Sequence, residues 1–151
     1  MSSRDRFERG TDGPRVILVG VDGSPTSLRA AAYAAGLARR QGSRLVAVYV
    51  AEPAPAMAGW VPAAQAVIRD ATAEVDAELR AELAHAARHL GVDAEYRTAR
   101  GDPVTEIARI ADALPADAVL VGASEQAGHR VVGSVAVRLV RLGRWPVTVV
   151  P

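Results

Sequence analysis

The sequence contains no cysteine, few aromatic residues and no long apolar run. Without cysteine, disulfide bonds, thiolate catalysis and cysteine-based metal sites are excluded. Aromatic residues make up only 4% of the chain, which argues against a surface on which nucleic-acid bases stack. No segment approaches about 18 uninterrupted apolar residues, and the first residues lack the apolar core of a secretion signal. We therefore expect a soluble cytoplasmic protein that does not span a membrane.

The chain also lacks a strong charge of either sign. Its 18 basic residues, all arginine, face 17 acidic residues and leave a net charge of +1. This balance lacks the excess of positive charge that is typical of proteins that bind duplex nucleic acid or an anionic membrane surface. We expect neither nucleic acid nor membrane among its partners.

The length and the apolar content of the chain suffice for one domain. With 151 residues, half of them apolar, the chain is large enough to bury about 68–70% of its unfolded surface. Residues 1–14 mix charges of both signs without periodicity, and we predict that they form a disordered N-terminal tail. Residues 15–151 are predicted to form the domain.

Apolar β-branched runs alternate with segments of helical periodicity along this domain. Val16–Val21 is continuously apolar, as is typical of a strand buried on both faces of a parallel sheet. The alternation predicts an α/β fold with a doubly wound parallel sheet and helices on both faces. The further strands are predicted at 45–50, 94–98, 118–121 and 146–150, and the helices from Pro25, over 68–90, from Pro103 and over 135–142.

Residues at the predicted helix ends suit their positions. Ser24 is a natural N-cap with Pro25 at the first helical position, and Asp102 and Ser134 are predicted to cap later helices. Residues 51–62 are too rich in proline for a helix or a central strand. Because they follow the C-terminal end of a strand, they are interpreted as either a mobile flap over a ligand or a passive connector.

The segment from Gly122 to Ser134, GASEQAGHRVVGS, lies between a predicted strand and the last helix. A helix N-terminus presents unpaired N–H groups and a partial positive charge, and a neighbouring glycine lets the backbone approach a ligand. The segment is therefore predicted to form an anion site.

Asp22 directly follows the first strand, at the edge of the sheet where ligands of open α/β folds bind. Its carboxylate could bond a ribose hydroxyl or help to hold a metal ion beside phosphates. The alternative is an Asx turn that satisfies the local backbone. The sequence leaves both open.

Motifs of several common enzyme classes are missing. Asp22-Gly23-Ser24 lacks the glycines of a dinucleotide-binding loop and the G-K-[ST] ending of a phosphate-binding loop. Ser124 lies in GASEQ, which fails the G-x-S-x-G pattern of a hydrolase nucleophile. His85 and His89 have the i, i+4 spacing of a metal pair, but a solvated helix flank is the favoured interpretation. No catalytic residue and no metal site is predicted.

The terminal strand 146–150 is short, apolar and uncharged. An exposed edge of this kind normally needs to be blocked. Pairing with the same strand of a second subunit across a two-fold axis would block it, and we predict a homodimer through this strand. Burial under a helix of the same chain is the alternative.

Five short motifs occur in a familiar order and resemble the universal stress protein family. The resemblance covers residues 14–151 and implies an open five-stranded parallel sheet of order 3-2-1-4-5, usually in a homodimer through the last strand. Many members bind ATP or another adenine nucleotide in the crevice between the first and fourth strands, and act in stress response or signalling. The motifs are VGVDGS at 19–24, GDP at 101–103, VG at 121–122, GS at 133–134 and WPVTVV at 145–150.

The resemblance also implies roles for individual residues. Asp22 would contact the ribose–phosphate region, Val50 would offer backbone groups to adenine, and Gly122 would pack under the ribose. Gly133 and Ser134 would bind phosphate through backbone N–H and hydroxyl groups.

The family signature, G-x-x-G, nine residues, then G-[ST], is altered here. Glu125 occupies the position of the second glycine, and only ten residues separate Gly122 from Gly133. Gly128 is expected to take over part of the role of the missing second glycine. A carboxylate about 5 Å from one phosphate charge costs roughly 3 kcal/mol at an effective dielectric constant of about 20. A divalent cation, or His129 and Arg130 folded over the phosphates, could offset this cost, unless Glu125 points into solvent.

Three functions therefore stay open. The first is binding of an adenine nucleotide, either ATP or a less charged one such as AMP or cyclic AMP, with or without Mg²⁺. The second is a dimeric interaction module that binds no nucleotide and serves an unknown protein partner. The third is slow ATP hydrolysis, although no residue is an evident general base for attack by water.

Overall fold

The computed structural model describes residues 15–126 and 129–151. The predicted tail, residues 1–14, lies outside the described residues, as does Gly128. Within them the chain forms strands β1 Val16–Val21, β2 Arg44–Ala51, β3 Ala94–Arg100, β4 Ala118–Gly122, β5 Ser124–Gln126, β6 His129–Val131 and β7 Val147–Val150, and helices α1 Pro25–Gln41, α2 Pro62–Leu90, α3 Pro103–Ala113 and α4 Ser134–Leu142.

Five of the strands form one parallel sheet of order β3-β2-β1-β4-β7. In the register of this sheet, Val19 of β1 lies opposite Ala47 of β2 and Leu120 of β4. Since β7 is the fifth strand of this sheet, the predicted order 3-2-1-4-5 is confirmed. The C-terminal ends of β1, β2 and β4 therefore meet at one edge.

The core has two layers because consecutive side chains of a strand point to opposite faces. Ile17 and Val19 of β1 pack in the layer that holds the buried residues of α1 and Leu79 of α2. Leu18 packs in the other layer, which holds the buried residues of α3 and α4. Helices cover both faces of the sheet, as the alternating pattern predicts.

Of the three predicted helix N-caps, two are present and the third is wrong. The Ser24 hydroxyl accepts a hydrogen bond from the Ser27 N–H at 3.2 Å, and the Asp102 carboxylate accepts one from the Thr105 N–H at 2.9 Å. Ser134, however, is the first helical residue of α4, and Gly133 is its N-cap, without a side-chain hydrogen bond. Gly133 has φ of 74°, in the left-handed region that favours glycine, so the chain enters α4 one residue earlier than predicted.

Two segments are more ordered than the sequence suggests. Residues 51–62 were expected to contain no helix, yet Ala56–Trp60 forms a short 3₁₀-helix and Pro62 is the first residue of α2. Proline suits that position because the first helical N–H groups have no partner within the helix. In addition, β5 and β6 pair antiparallel inside the predicted glycine loop. None of the helices in the described part of the chain is long and apolar enough to cross a membrane.

Candidate functional site

The strand ends enclose a cavity of about 710 Å³. Its walls come from the ends of β1, β2 and β4, the first turns of α1 and α4, and the β5–β6 hairpin. Of the six residues predicted for the site, five line this cavity and Gly128 lies outside the described residues. The five are Asp22, Val50, Gly122, Gly133 and Ser134.

Asp22 lies at the cavity wall immediately after β1 and forms an Asx turn there. One carboxylate oxygen, Oδ1, accepts a hydrogen bond from the Ser24 N–H at 2.9 Å. Desolvation by the surrounding protein raises the pKa of Asp22, but hydrogen bonds from Ser24 and Ser27 outweigh it, so the pKa lies below its ordinary value. The carboxylate is therefore ionised near neutral pH. The Asx turn and a ligand contact are compatible, since the turn bond uses one of the two oxygens.

Val50 lies where β2 extends beyond the end of β1. The last pair in the β1–β2 register joins Val21 to Tyr49. The Ala51 carbonyl accepts a hydrogen bond from the Gly101 N–H, so it faces β3. Because successive carbonyls of a strand point to opposite sides, the Val50 carbonyl faces the side on which β1 has ended. A backbone acceptor is thus directed to the crevice.

Gly122 is in very close contact with the first turn of α1. A Cβ atom on Gly122 would lie 2.5 Å from the carbonyl carbon of Thr26 and 2.6 Å from the Ser27 nitrogen. Real Cβ atoms do not approach backbone atoms this closely. The glycine therefore lets β4 and α1 meet beneath the cavity, a packing role that the sequence alone does not reveal.

Helices α1 and α4, which both begin at the cavity, differ in their capping. At the start of α1, the Ser24 hydroxyl accepts a hydrogen bond from one N–H group, that of Ser27. That of α4 has a glycine N-cap, and its first residues, Ser134 to Ala136, line the cavity. The first N–H groups of a helix have no intrahelical partners and carry partial positive charge. No side chain caps the start of α4, so its first N–H groups are available to an anion in the cavity.

Glu125 is held by an arginine that the sequence analysis did not identify. Its Oε1 atom lies 3.1 Å from Nη2 of Arg29, on α1. Glu125 lines the cavity, and each side chain of the pair is 46% exposed. The two residues are 96 positions apart in the sequence, so no local pattern could have indicated the contact. Glu125 thus neither points freely into solvent nor enters the cavity as an isolated charge.

Metal-ligand geometry is not found in the described part of the chain, where no group of three or more His, Asp or Glu side chains could hold an ion. The rings of His85 and His89 stack on exposed positions of α2 with centroids 6.4 Å apart. The solvated flank expected for these histidines agrees with this placement.

Comparison with known proteins gives matches over nearly the whole chain. The model of the universal stress protein family matches residues 14–151. The universal stress protein MJ0531 of Methanocaldococcus jannaschii is 28% identical over 136 residues, which cover 89% of this chain and 80% of that protein. A solved structure of a family member from Burkholderia pseudomallei is 28% identical, covers 91% of this chain and 96% of its own, and superposes with a TM-score of 0.74.

A further solved structure is a universal stress protein in complex with cAMP. It is 28% identical, with coverage of 91% of this chain and 97% of its own and a TM-score of 0.63. The family match includes every strand of the parallel sheet and the whole wall of the cavity. On this match, the chain belongs to the universal stress protein family.

Proposed function

We propose that the protein binds an adenine nucleotide in the crevice at the ends of β1, β2 and β4 and acts in stress response or signalling. The observation that carries this proposal is the cavity of about 710 Å³ at the N-terminus of α4, whose glycine N-cap makes no side-chain hydrogen bond. The volume lies within the range of about 300–1,000 Å³ that is usual for small-molecule sites. A cytoplasmic location remains an expectation from the sequence.

The β1–β2 side of the crevice suits an adenosine moiety. Val50 directs a backbone carbonyl to it, which can accept a hydrogen bond from an exocyclic amine. Asp22 supplies an ionised carboxylate that can accept hydrogen bonds from ribose hydroxyls. Tyr49 and Thr72 also line this part of the cavity. Desolvation is the main cause that raises the pKa of the Tyr49 hydroxyl above its ordinary value. We assign this half of the cavity to the nucleoside.

The α4 side suits phosphate. Backbone N–H groups at the start of a helix form a ready site for phosphate oxygens. Gly133 brings the backbone close to Ser124, since a Cβ on Gly133 would lie 2.9 Å from the Ser124 Cβ. The Ser134 hydroxyl is exposed at the cavity wall and can add a hydrogen bond. A Mg²⁺ ion would fit as a companion of the phosphates with Asp22 as its carboxylate, the usual arrangement in nucleotide sites.

The cAMP complex among the similar structures supports a nucleotide as the ligand class. That protein shares 28% identity and the fold with this chain. We therefore expect ATP, AMP or cyclic AMP to bind here, and we expect binding to be the activity of the site.

We also propose that two subunits pair through β7. This strand pairs with β4 and, among the described residues, with no second strand, so its outer side forms an edge of the sheet. Helix α4, which contacts β7, exposes the apolar side chains of Val137 and Val140, the latter 56% exposed. An unpaired edge beside exposed valines is what a self-complementary two-fold contact would cover.

Ligand-dependent thermal unfolding tests the nucleotide proposal. ATP, AMP and cyclic AMP are titrated, with GMP and inorganic phosphate as comparison ligands. A ligand at 100 times its Kd stabilises the folded state by about 2.7 kcal/mol, so Tm rises with concentration. If none of the three adenine nucleotides raises Tm, and calorimetry detects no heat of binding, the crevice is no nucleotide site and the interaction module is favoured.

Two variants at Ser134 show whether phosphate binds at α4. Ser134→Glu places a carboxylate in the first turn of the helix, where it stabilises the helix dipole but repels phosphate. Ser134→Gln is the uncharged control of similar size. We expect Ser134→Glu to abolish binding while the protein stays as stable as wild type, and Ser134→Gln to retain most of it. Equal affinity in both variants would place the phosphate elsewhere.

A further inference from the structure

The ion pair between Glu125 and Arg29 lies at the phosphate half of the proposed site. Glu125 follows Ser124, whose Cβ lies against Gly133, the N-cap of α4. The base of the β5–β6 hairpin therefore contacts the start of the helix to which the phosphate was assigned. Glu125 lines the same cavity.

The partner of Glu125 in this ion pair, Arg29, lies outside the hairpin. Arg29 lies on an exposed position of α1 and reaches Glu125 through Nη2 at 3.1 Å. Both side chains are half exposed, and exposed ion pairs contribute little free energy. Arg29 therefore reduces the negative potential of Glu125 without cancelling it.

The charge of the ligand decides how strongly Glu125 opposes it. Cyclic AMP carries a single phosphodiester charge and AMP carries up to about two, whereas ATP carries about four negative charges near pH 7. With phosphate at the first turn of α4, as proposed above, each added phosphate group would add repulsion from the carboxylate. One phosphate group can be accommodated by the helix donors, but a triphosphate brings several charges near a carboxylate that is only partly neutralised.

We propose that the Glu125–Arg29 pair is a selectivity element that makes the crevice accept adenine nucleotides with a single phosphate group, AMP and cyclic AMP, in preference to ATP. This inference rests on the proposed nucleotide site. Glu125 supplies the repulsion, and Arg29 sets how much of it a ligand experiences. The two residues thus have opposite effects on the ratio of AMP to ATP affinity.

Calorimetric titration of wild type and three variants with AMP, cyclic AMP and ATP tests the proposal. We expect wild type to bind AMP and cyclic AMP at least about tenfold more tightly than ATP. Glu125→Gln, which keeps the shape of the side chain, should raise ATP affinity by about tenfold and AMP affinity by less than about threefold. Arg29→Gln should lower ATP affinity more than AMP affinity.

Glu52→Gln is the matched control, because Glu52 also lines the cavity but follows β2, on the side assigned to the nucleoside. It removes the same charge from the protein, and we expect the ratio of AMP to ATP affinity to stay unchanged. Parallel titrations at low and high salt check that the effect of Glu125→Gln is electrostatic, since it should shrink as salt increases.

The outcomes separate this inference from the proposed function. If no adenine nucleotide binds wild type or any variant, the proposed function fails. If AMP and ATP bind and their affinity ratio is the same in wild type and in Glu125→Gln, the nucleotide site stands and the selectivity element is refuted. Tighter binding of ATP than AMP by wild type, lost in Arg29→Gln, would instead make Arg29 a phosphate ligand and overturn the proposal.

Discussion

Gly122 illustrates how a residue that the family resemblance assigns to a ligand also has a packing role. The family resemblance implies that it lies under a ribose, whereas the structure shows it pressed against the backbone of Thr26 and Ser27. The contacted atoms belong to the capped first turn of α1, which cannot move aside as a flexible side chain would. The absence of a side chain at Gly122 is needed for the sheet and α1 to meet, whether or not a nucleotide is present.

We predict that Gly122→Ala destabilises the protein by about 1–3 kcal/mol, because the added methyl group forces backbone shifts in a packed region. Gly36→Ala is the control: Gly36 lies within α1, and the nearest atom to an added Cβ is Nη1 of the Arg40 side chain at 3.4 Å. Alanine is the better helix former, so this change should stabilise by up to about 1 kcal/mol. Urea unfolding measures both, and equal stability of the two variants would contradict the packing role.

At the scale of elements, α2 is attached to the sheet by a polar cluster as well as by its apolar stripe, from which Val75 and Leu83 pack against the core. Leu79 is its one buried residue among those whose burial the structure describes. Asp76 Oδ1 accepts hydrogen bonds from the Tyr96 hydroxyl at 2.8 Å and the Thr98 hydroxyl at 2.7 Å, both on β3. Arg80, one turn further along α2, lies 4.8 Å from the centroid of the Tyr96 ring.

This cluster predicts a pH dependence of stability. Desolvation raises the pKa of Asp76, but hydrogen bonds from Thr98 and Tyr96 and the charge of Arg80 outweigh it and hold the pKa below its ordinary value. A lowered pKa in the folded state contributes stability above the unfolded pKa of about 3.9, and this contribution is lost as pH falls through the folded value. We expect the free energy of unfolding of wild type to decrease below about pH 4.

Asp76→Asn should lose on the order of 1–2 kcal/mol at pH 7, because the bonds to a charged acceptor are replaced by weaker ones. Its difference from wild type should shrink as pH falls below about 4. Asp70→Asn makes the same substitution on α2 at an exposed position with no side-chain hydrogen bond in the described residues, and it should behave like wild type. A difference that stays constant between pH 3 and pH 7 would show that charge on Asp76 is irrelevant.

Of the strands in the C-terminal part of the chain, after β4, one was predicted from the sequence and two were not. The prediction of a strand near the C-terminus is confirmed as β7, and its register with β4 joins Leu120 to Thr148. The antiparallel β5–β6 pair was not predicted, because two three-residue strands are too short to show an alternating pattern. Their pairing is seen only in the tertiary structure, where the segment lies between β4 and α4.

At the scale of the whole molecule, the outer edge of β7 offers the means to test the proposed homodimer. The carbonyls of Pro146 and Val150 accept hydrogen bonds from β4 and the residue that follows it. By alternation, the backbone of Val147 and Val149 faces outwards. The donors available to a second subunit are therefore on these two residues.

We predict that wild type is a dimer by light scattering, with a Tm that rises with protein concentration. Val149→Pro removes one outward donor and leaves the bonds to β4, so it should yield folded monomers with the helical circular dichroism of wild type. Val140→Glu, which leaves the backbone edge intact but charges the exposed face of α4, should also weaken the dimer. A dimer that persists in both variants would show that the subunits meet elsewhere.

The sequence by itself determined the fold and the edge of the sheet at which the candidate site lies. A continuous apolar run such as Val16–Val21 is typical of a strand inside a parallel sheet, and the alternating elements then bring Asp22, Val50 and Gly122 to one edge. These are consequences of local pattern and of the right-handed crossover, so they can be read without coordinates.

Only the tertiary structure decided the electrostatics and the close contacts of the site. The pairing of Glu125 with Arg29, the contact of Gly122 with α1, and the choice of Gly133 over Ser134 as the cap of α4 each depend on residues or backbone angles set by distant packing. Charge neutralisation and steric contact act over a few ångströms in space, and sequence spacing does not report distance of that kind. For that reason the Glu125–Arg29 pair, on which the proposed nucleotide selectivity rests, emerged only from the folded chain.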